Sequence, residues 1–210
     1  SHKVNSTACE VLSQLGPSPE LHTLLEVMLL KFPERWTTWT KVGLALIIVL
    51  GEDERACAIA GRGPQLQPQL PHAWFQQGQV LALAAKYQEA IMSAEIGWRW
   101  LPEDEDGLLS VPAACRLAEN CLLINDRIRG EFWIAEASQR LAGLIGFDPA
   151  NGYWWEGKLL ELAGDRSGAL ASFTRAVDHH LFYPARREVE AAIARLTSPL
   201  SRSSRRFPVG

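Results

Sequence analysis

Apolar residues in this chain recur at helical spacing in block after block, and the blocks come in pairs. Within residues 71–102, Trp74, Gly78 and Leu81 stand at i, i+4 and i+7, one face of a helix, with glycine where a neighbouring helix must come close. After a break at Ala85-Lys86, the residues Tyr87, Ala90, Ile91, Ala94 and Trp98 restore a single face until Pro102 ends it. Two helices with small residues where they touch predict an antiparallel hairpin. Upstream, Val11, Leu12 and Leu15 give residues 8–15 an amphipathic pattern, which Gly16-Pro17-Ser18-Pro19 stops. Ser18 is placed as the N-cap of the next helix, with Pro19 at its first position, where a missing N–H costs nothing. Leu21, Leu24, Leu25, Met28 and Phe32 then form a stripe ending at Pro33, which completes a degenerate first hairpin.

The second hairpin carries Trp39, Val42, Gly43, Leu46 and Leu50, turns at Gly51-Glu52-Asp53 and returns through Ala60. Residues 61–71, rich in glycine and proline, read as a connector. The run Glu103-Asp104-Glu105-Asp106 reads as a solvated acidic loop; it lacks the spacing of a calcium-binding loop. In the fourth hairpin Ala114, Leu117, Ala118, Cys121 and Leu122 keep helical spacing up to Asn125-Asp126. Gly130 is placed in the turn, and Phe132, Ala135, Ala142 and Ile145 are read as the second stripe. The fifth runs from Asn151 to His180 and turns at Gly164-Asp165. Beyond Pro184, Val189, Ala192, Ile193 and Leu196 share one face, as expected of a helix that closes a stack and covers its last apolar surface.

These blocks repeat at a nearly constant interval. Trp39 and Gly43 precede Trp74 and Gly78 by 35 residues, Ala56 and Ala60 precede Ala90 and Ala94 by 34, and Ala135 precedes Ala169 by 34. Tyr153, Gly157, Leu160, Ala169, Phe173 and Ala176 restate the pattern. A Trp or Tyr, a Gly four residues on, then Tyr, Ala and a closing Pro resembles the tetratricopeptide repeat, over residues 36–184. The resemblance implies an all-α, right-handed superhelix of about five stacked hairpins with a C-terminal capping helix. Residues 8–198 are read as one repeat domain. Residues 1–7 are taken as a tail opening on a tag-like Ser1-His2, and residues 199–210 as a flexible basic tail.

Composition narrows the function. The 210 residues are 47% apolar, enough for a sizeable core. A net charge of -3 supplies no general basic field, so nucleic acid is not the expected partner. The four cysteines, Cys9, Cys57, Cys115 and Cys121, lie within apolar helical pattern and form no paired-cysteine motif. They are read as reduced, buried small hydrophobes, in keeping with a cytoplasmic protein. The longest apolar run, residues 42–50, is too short for the ~20 residues of a membrane span. No nucleophile elbow, phosphate-cradling glycine loop or zinc motif is present, and adjacent His179-His180 diverge by about 100° on a helix. The chain is therefore expected not to be an enzyme and to hold neither metal nor cofactor.

Such a stack presents a concave surface lined by the first helices. Carried onto this sequence, the groove offsets implied by the resemblance select Thr37, Thr40 and Leu44, then His72, Phe75 and Gln79, then Asn151, Trp154, Lys158 and Glu161. Trp154 stands out because Tyr153 already supplies the packing aromatic. It is either an interface anchor or a side chain packed under the fourth hairpin. The Lys and Asn side chains with which some tetratricopeptide proteins clamp a C-terminal carboxylate are missing from Thr40, Leu44, Phe75 and Gln79. The expected function is thus non-catalytic docking of a protein or peptide segment with apolar side chains, as an adaptor, scaffold or assembly factor. The alternative is the targeting region of a larger enzyme such as a transferase or hydroxylase.

Overall fold

Helices fill the computed structural model, which describes residues 1–181 and 185–198. In order they are α1 (His2–Leu15), α2 (Pro19–Lys31), α3 (Trp36–Ala45, prolonged by a π-helical turn at Leu46–Leu50), α4 (Asp53–Ala60) and a short α5 (Arg62–Leu66). There follow α6 (Pro71–Leu83), α7 (Tyr87–Arg99), α8 (Ser110–Leu123), α9 (Arg127–Phe147), α10 (Pro149–Leu162), α11 (Arg166–Asp178) and α12 (Ala185–Thr197). Among the described residues there is no strand, and no helix is long and apolar enough to cross a membrane. Sequential helices pair as α1/α2, α3/α4, α6/α7, α8/α9 and α10/α11, while α12 packs on α11. The first helices α3, α6, α8 and α10 touch one another in succession and form the inner layer of an all-α superhelix.

The same local device reverses the chain in four hairpins. Gly51, Ala85, Asn125 and Gly164 have φ of 68, 57, 62 and 84°, each two residues before the second helix of its pair. The next residue's N–H then donates back to a carbonyl of the first helix. Glu52 reaches Leu46 at 3.0 Å, Lys86 reaches Leu81 at 2.9 Å, and Asp126 and Asp165 reach Cys121 and Leu160 at 2.8 Å. This left-handed C-terminal motif satisfies carbonyls that the helix end leaves without partners. Asp126 and Asp165 go on to cap the second helix, their carboxylates accepting from the N–H of Arg129 and Gly168.

At two of the three repeated glycines, Gly78 and Gly157, a neighbouring helix comes closer than ordinary contact with a methyl group allows. A methyl group at Gly78 would lie 3.1 Å from the Ala90 carbonyl oxygen, and one at Gly43 would lie 3.6 Å from that of Ala56. At Gly157 the neighbour is the Phe173 ring, at 2.5 Å. The repeated tryptophans fix the incoming loops: the indole N–H of Trp39 donates to the Pro33 carbonyl at 2.7 Å, and that of Trp74 to Pro68 at 2.8 Å. Three cores result. One joins α1–α4 and reaches Val80, one joins α6–α10, and one joins α10–α12 around Phe173 and Val189.

Several expectations need correction. Residues 2–7 belong to α1 rather than to a tail; His2 hydrogen-bonds Thr38 at 3.1 Å and meets the Phe32 ring edge-on. On α1 it is Ser6 and Cys9 that are buried, whereas Val11 and Leu15 are exposed. The connector after Ala60 contains α5, with Gly63 and Pro64 buried. In the acidic run Glu103, Asp104 and Asp106 are exposed in a loop, as expected, but Glu105 turns inward. Glu105 accepts from the N–H of Gly107, Leu109 and Ser110 at 3.1, 2.5 and 3.3 Å, which caps the start of α8. Gly130 lies inside α9, not in a turn, and Phe132, Ala135 and Ala142 are exposed. The buried stripe of α9 is Gly130, Trp133, Ala137 and Leu144. Pro184 and the basic tail beyond Ser198 lie outside the described residues.

Candidate peptide-binding groove

The inner faces of α6, α8 and α10, with the edge of α12, enclose two adjoining open hollows of about 590 and 430 Å³. From α6 come His72, Phe75, Gln76 and Gln79; from α8, Pro112, Arg116, Glu119 and Asn120; from α10, Asn151, Trp154, Trp155 and Lys158; from α12, Glu188. The second hollow continues past Glu161 to Arg195. Each helix sends one face inward because its opposite face is committed to the second helix of its own hairpin.

Aromatic rings and cations are layered on the floor. Trp154 and Trp155 lie 4.8 Å apart at 35°, with the Lys158 ammonium 5.2 Å from the first ring and 5.4 Å from the second. The Arg116 guanidinium covers Trp155 at 5.6 Å. Lys158 is also paired with Glu188 at 3.7 Å, and Glu161 is held by a two-point ion pair to Arg195. Burial pushes the Arg116 guanidinium below its ordinary value, although it stays charged. Burial, and secondarily the charge of Arg116, lowers the pKa of His72, which favours the neutral imidazole. Beneath the floor, burial pushes the Cys115 thiol up to about 12, so it behaves as a small apolar group and not as a nucleophile.

No family model and no curated protein matches the sequence. Solved structures do. A chain of the APC/C hetero-tetramer Cut9-Hcn1 superposes on 92% of this chain with a TM-score of 0.61 at 15% identity, and this chain spans 35% of that chain's length. The fold is tetratricopeptide-like. MamA aligns over 80% of this chain and 88% of its own, at 16% identity and a TM-score of 0.46. YrrB, described as a TPR protein with an unusual peptide-binding site, aligns over 80% and 97% at 17% identity and a TM-score of 0.39.

Within this tetratricopeptide-like array, His72, Phe75, Gln79, Asn151, Trp154 and Lys158 converge on the larger hollow, and Glu161 on the smaller. Thr37, Thr40 and Leu44 line neither. Thr40 is buried, its hydroxyl donating to the Thr37 carbonyl at 3.1 Å, and α5 packs against α3 beside it, with Gly63 next to the Thr40 methyl. Leu44 is partly buried in the N-terminal core. Trp154 is partly buried against the α6–α10 core and also faces the hollow.

Sequence reasoning missed the contribution of α8. Its first helix lacks the aromatic and glycine pair that sets register elsewhere, but the left-handed turn residue supplies another origin. Counting back 13, 10, 9 and 6 residues gives His72, Phe75, Gln76 and Gln79 from Ala85, and Asn151, Trp154, Trp155 and Lys158 from Gly164. From Asn125 the same counts give Pro112, Cys115, Arg116 and Glu119. The π-helical turn explains why Trp39 and Trp74 are 35 apart while Gly51 and Ala85 are 34 apart. It absorbs the one extra residue in the first helix of the second hairpin.

Proposed function

We propose that this chain is a non-catalytic interaction module that docks an extended peptide segment of another protein in the groove formed by α6, α8 and α10. The observation that carries this reading is the composition of the hollow. A large aromatic surface at Trp154 lies beside side chains able to both donate and accept hydrogen bonds, at Gln76, Gln79, Asn120 and Asn151. A peptide needs that combination, because its backbone amides must be satisfied when they leave water while its apolar side chains require a ring to cover them. Trp adds large area with few rotatable bonds, which suits an anchor. Work as an adaptor, scaffold or assembly factor in the cytoplasm is the setting this reading supplies.

The test is selection of randomised short peptides displayed on phage by the full chain. Recovered peptides are expected to lose binding to Trp154→Ala and Gln79→Arg while still binding the outer-face variant Met92→Ala. Loss in Met92→Ala alone would move the interface to the convex side.

A further inference from the structure

In number the charges lining the groove balance, Arg116, Lys158 and Arg195 against Glu119, Glu161 and Glu188, but their pairing is uneven. Lys158 has Glu188, and Arg195 has Glu161, but among the described residues Arg116 has neither an ion-pair nor a hydrogen-bond partner, only the Trp155 ring. It projects from the middle inner helix, between Gln76 of α6 and Trp155 of α10 in the shared register, and it lines both hollows. A guanidinium drawn partly out of water with its five N–H groups uncommitted is costly to the free protein, and a planar carboxylate offsets that cost most completely.

Resting on the groove reading above, we propose that the docked segment carries a single aspartate or glutamate whose carboxylate pairs with Arg116, beside an apolar side chain laid on Trp154. The count of one acid follows from the surroundings. Glu161 and Glu188 already occupy Arg195 and Lys158, so a second acid or a nucleic-acid backbone finds no uncommitted cation beside Arg116 and meets the carboxylate of Glu119 instead. A lone carboxylate needs only the one guanidinium that is uncommitted among the described residues. The neighbouring amides of Gln79 and Asn120 are left to the peptide backbone.

The experiment uses the full chain and peptides recovered from the displayed library, each made in its acid form and with the acid replaced by its amide. Wild type is expected to enrich one acidic position, and the acid-to-amide change to weaken binding about tenfold. In Arg116→Gln the enrichment disappears and the two forms bind alike. Arg116→Lys, which keeps the charge without the fork, retains part of the preference. Circular dichroism establishes that each variant is folded. Peptides that depend on Trp154 but show no acidic position, or whose acid effect survives in Arg116→Gln, overturn the inference and leave the groove reading standing. If no recovered peptide depends on Trp154, both fall together.

Discussion

Gly157 and Gly43 hold the same place in the repeat, four residues after Tyr153 and Trp39, yet a methyl group would meet different surroundings there. At Gly157 it would press on the fully buried Phe173 ring at 2.5 Å, whereas at Gly43 the neighbours Ala56, Val80 and Ala60 stand at 3.6–3.7 Å, ordinary contact. Overpacking of a filled core typically costs about 1–3 kcal/mol, and replacing a mid-helix glycine by alanine returns up to ~1 kcal/mol of helix propensity. Gly157→Ala is therefore expected to lower the urea midpoint with little change in slope, and Gly43→Ala to hold or raise it. The reverse order would show that the ring yields and the small helix does not. All three repeat glycines were readable from their spacing to an aromatic residue. Arg116 was not, because α8 offers no such pair, and its importance depends on what it lacks in three dimensions.

At the scale of the helical hairpin, a left-handed residue two positions before the second helix recurs in four of the five pairs. Gly51 and Gly164 adopt that backbone freely and Asn125 tolerates it, but Ala85 holds φ at 57° with a Cβ in the way. Ala85→Gly is expected to stabilise the chain by about 1 kcal/mol, seen as a higher melting temperature with an unchanged peptide-binding constant. The turns at Gly51 and Gly164 were legible because glycine suits the conformation; Ala85 was legible through the break between two apolar stripes, and at Asn125 the helix end was legible although Gly130 was placed in the turn. The misreading of α9 has a specific cause. Ala135 and Ala169 are 34 apart, which is the right interval for the wrong residue, since the counterpart of Ala169 is the buried Gly130, 39 residues earlier. The longer interval arises because α9 has 21 residues. Within the acidic run Glu105 escaped for another reason: charge alone does not reveal that it folds back onto three backbone N–H groups.

The whole molecule behaves as a row of units, each held by its neighbours, with ion pairs such as Glu95–Arg129 between α7 and α9 and Glu161–Arg195 between α10 and α12 linking successive members. At the C-terminal end α12 covers the apolar face of α11 through Val189 and Leu196, and Arg166 of α11 donates to the Leu196 and Ser198 carbonyls at 3.0 Å. Removing residues 185–210 exposes the core around Phe173 and leaves the N-terminal core untouched, because α12 shares no cluster with α1–α4. Stability in such an array is close to a sum of unit and interface terms, so the loss should decay along the stack. Amide exchange in the truncated chain is expected to accelerate strongly in α11 and less in α10 and α9, with α3 and α4 unchanged. The groove would lose Glu188 and with it the partner of Lys158, which leaves a second cation unpaired beside Arg116. Equal acceleration in α3 and α11 would mean that the three cores melt as one body, and that a partner bound between α6 and α10 is felt at both ends of the chain.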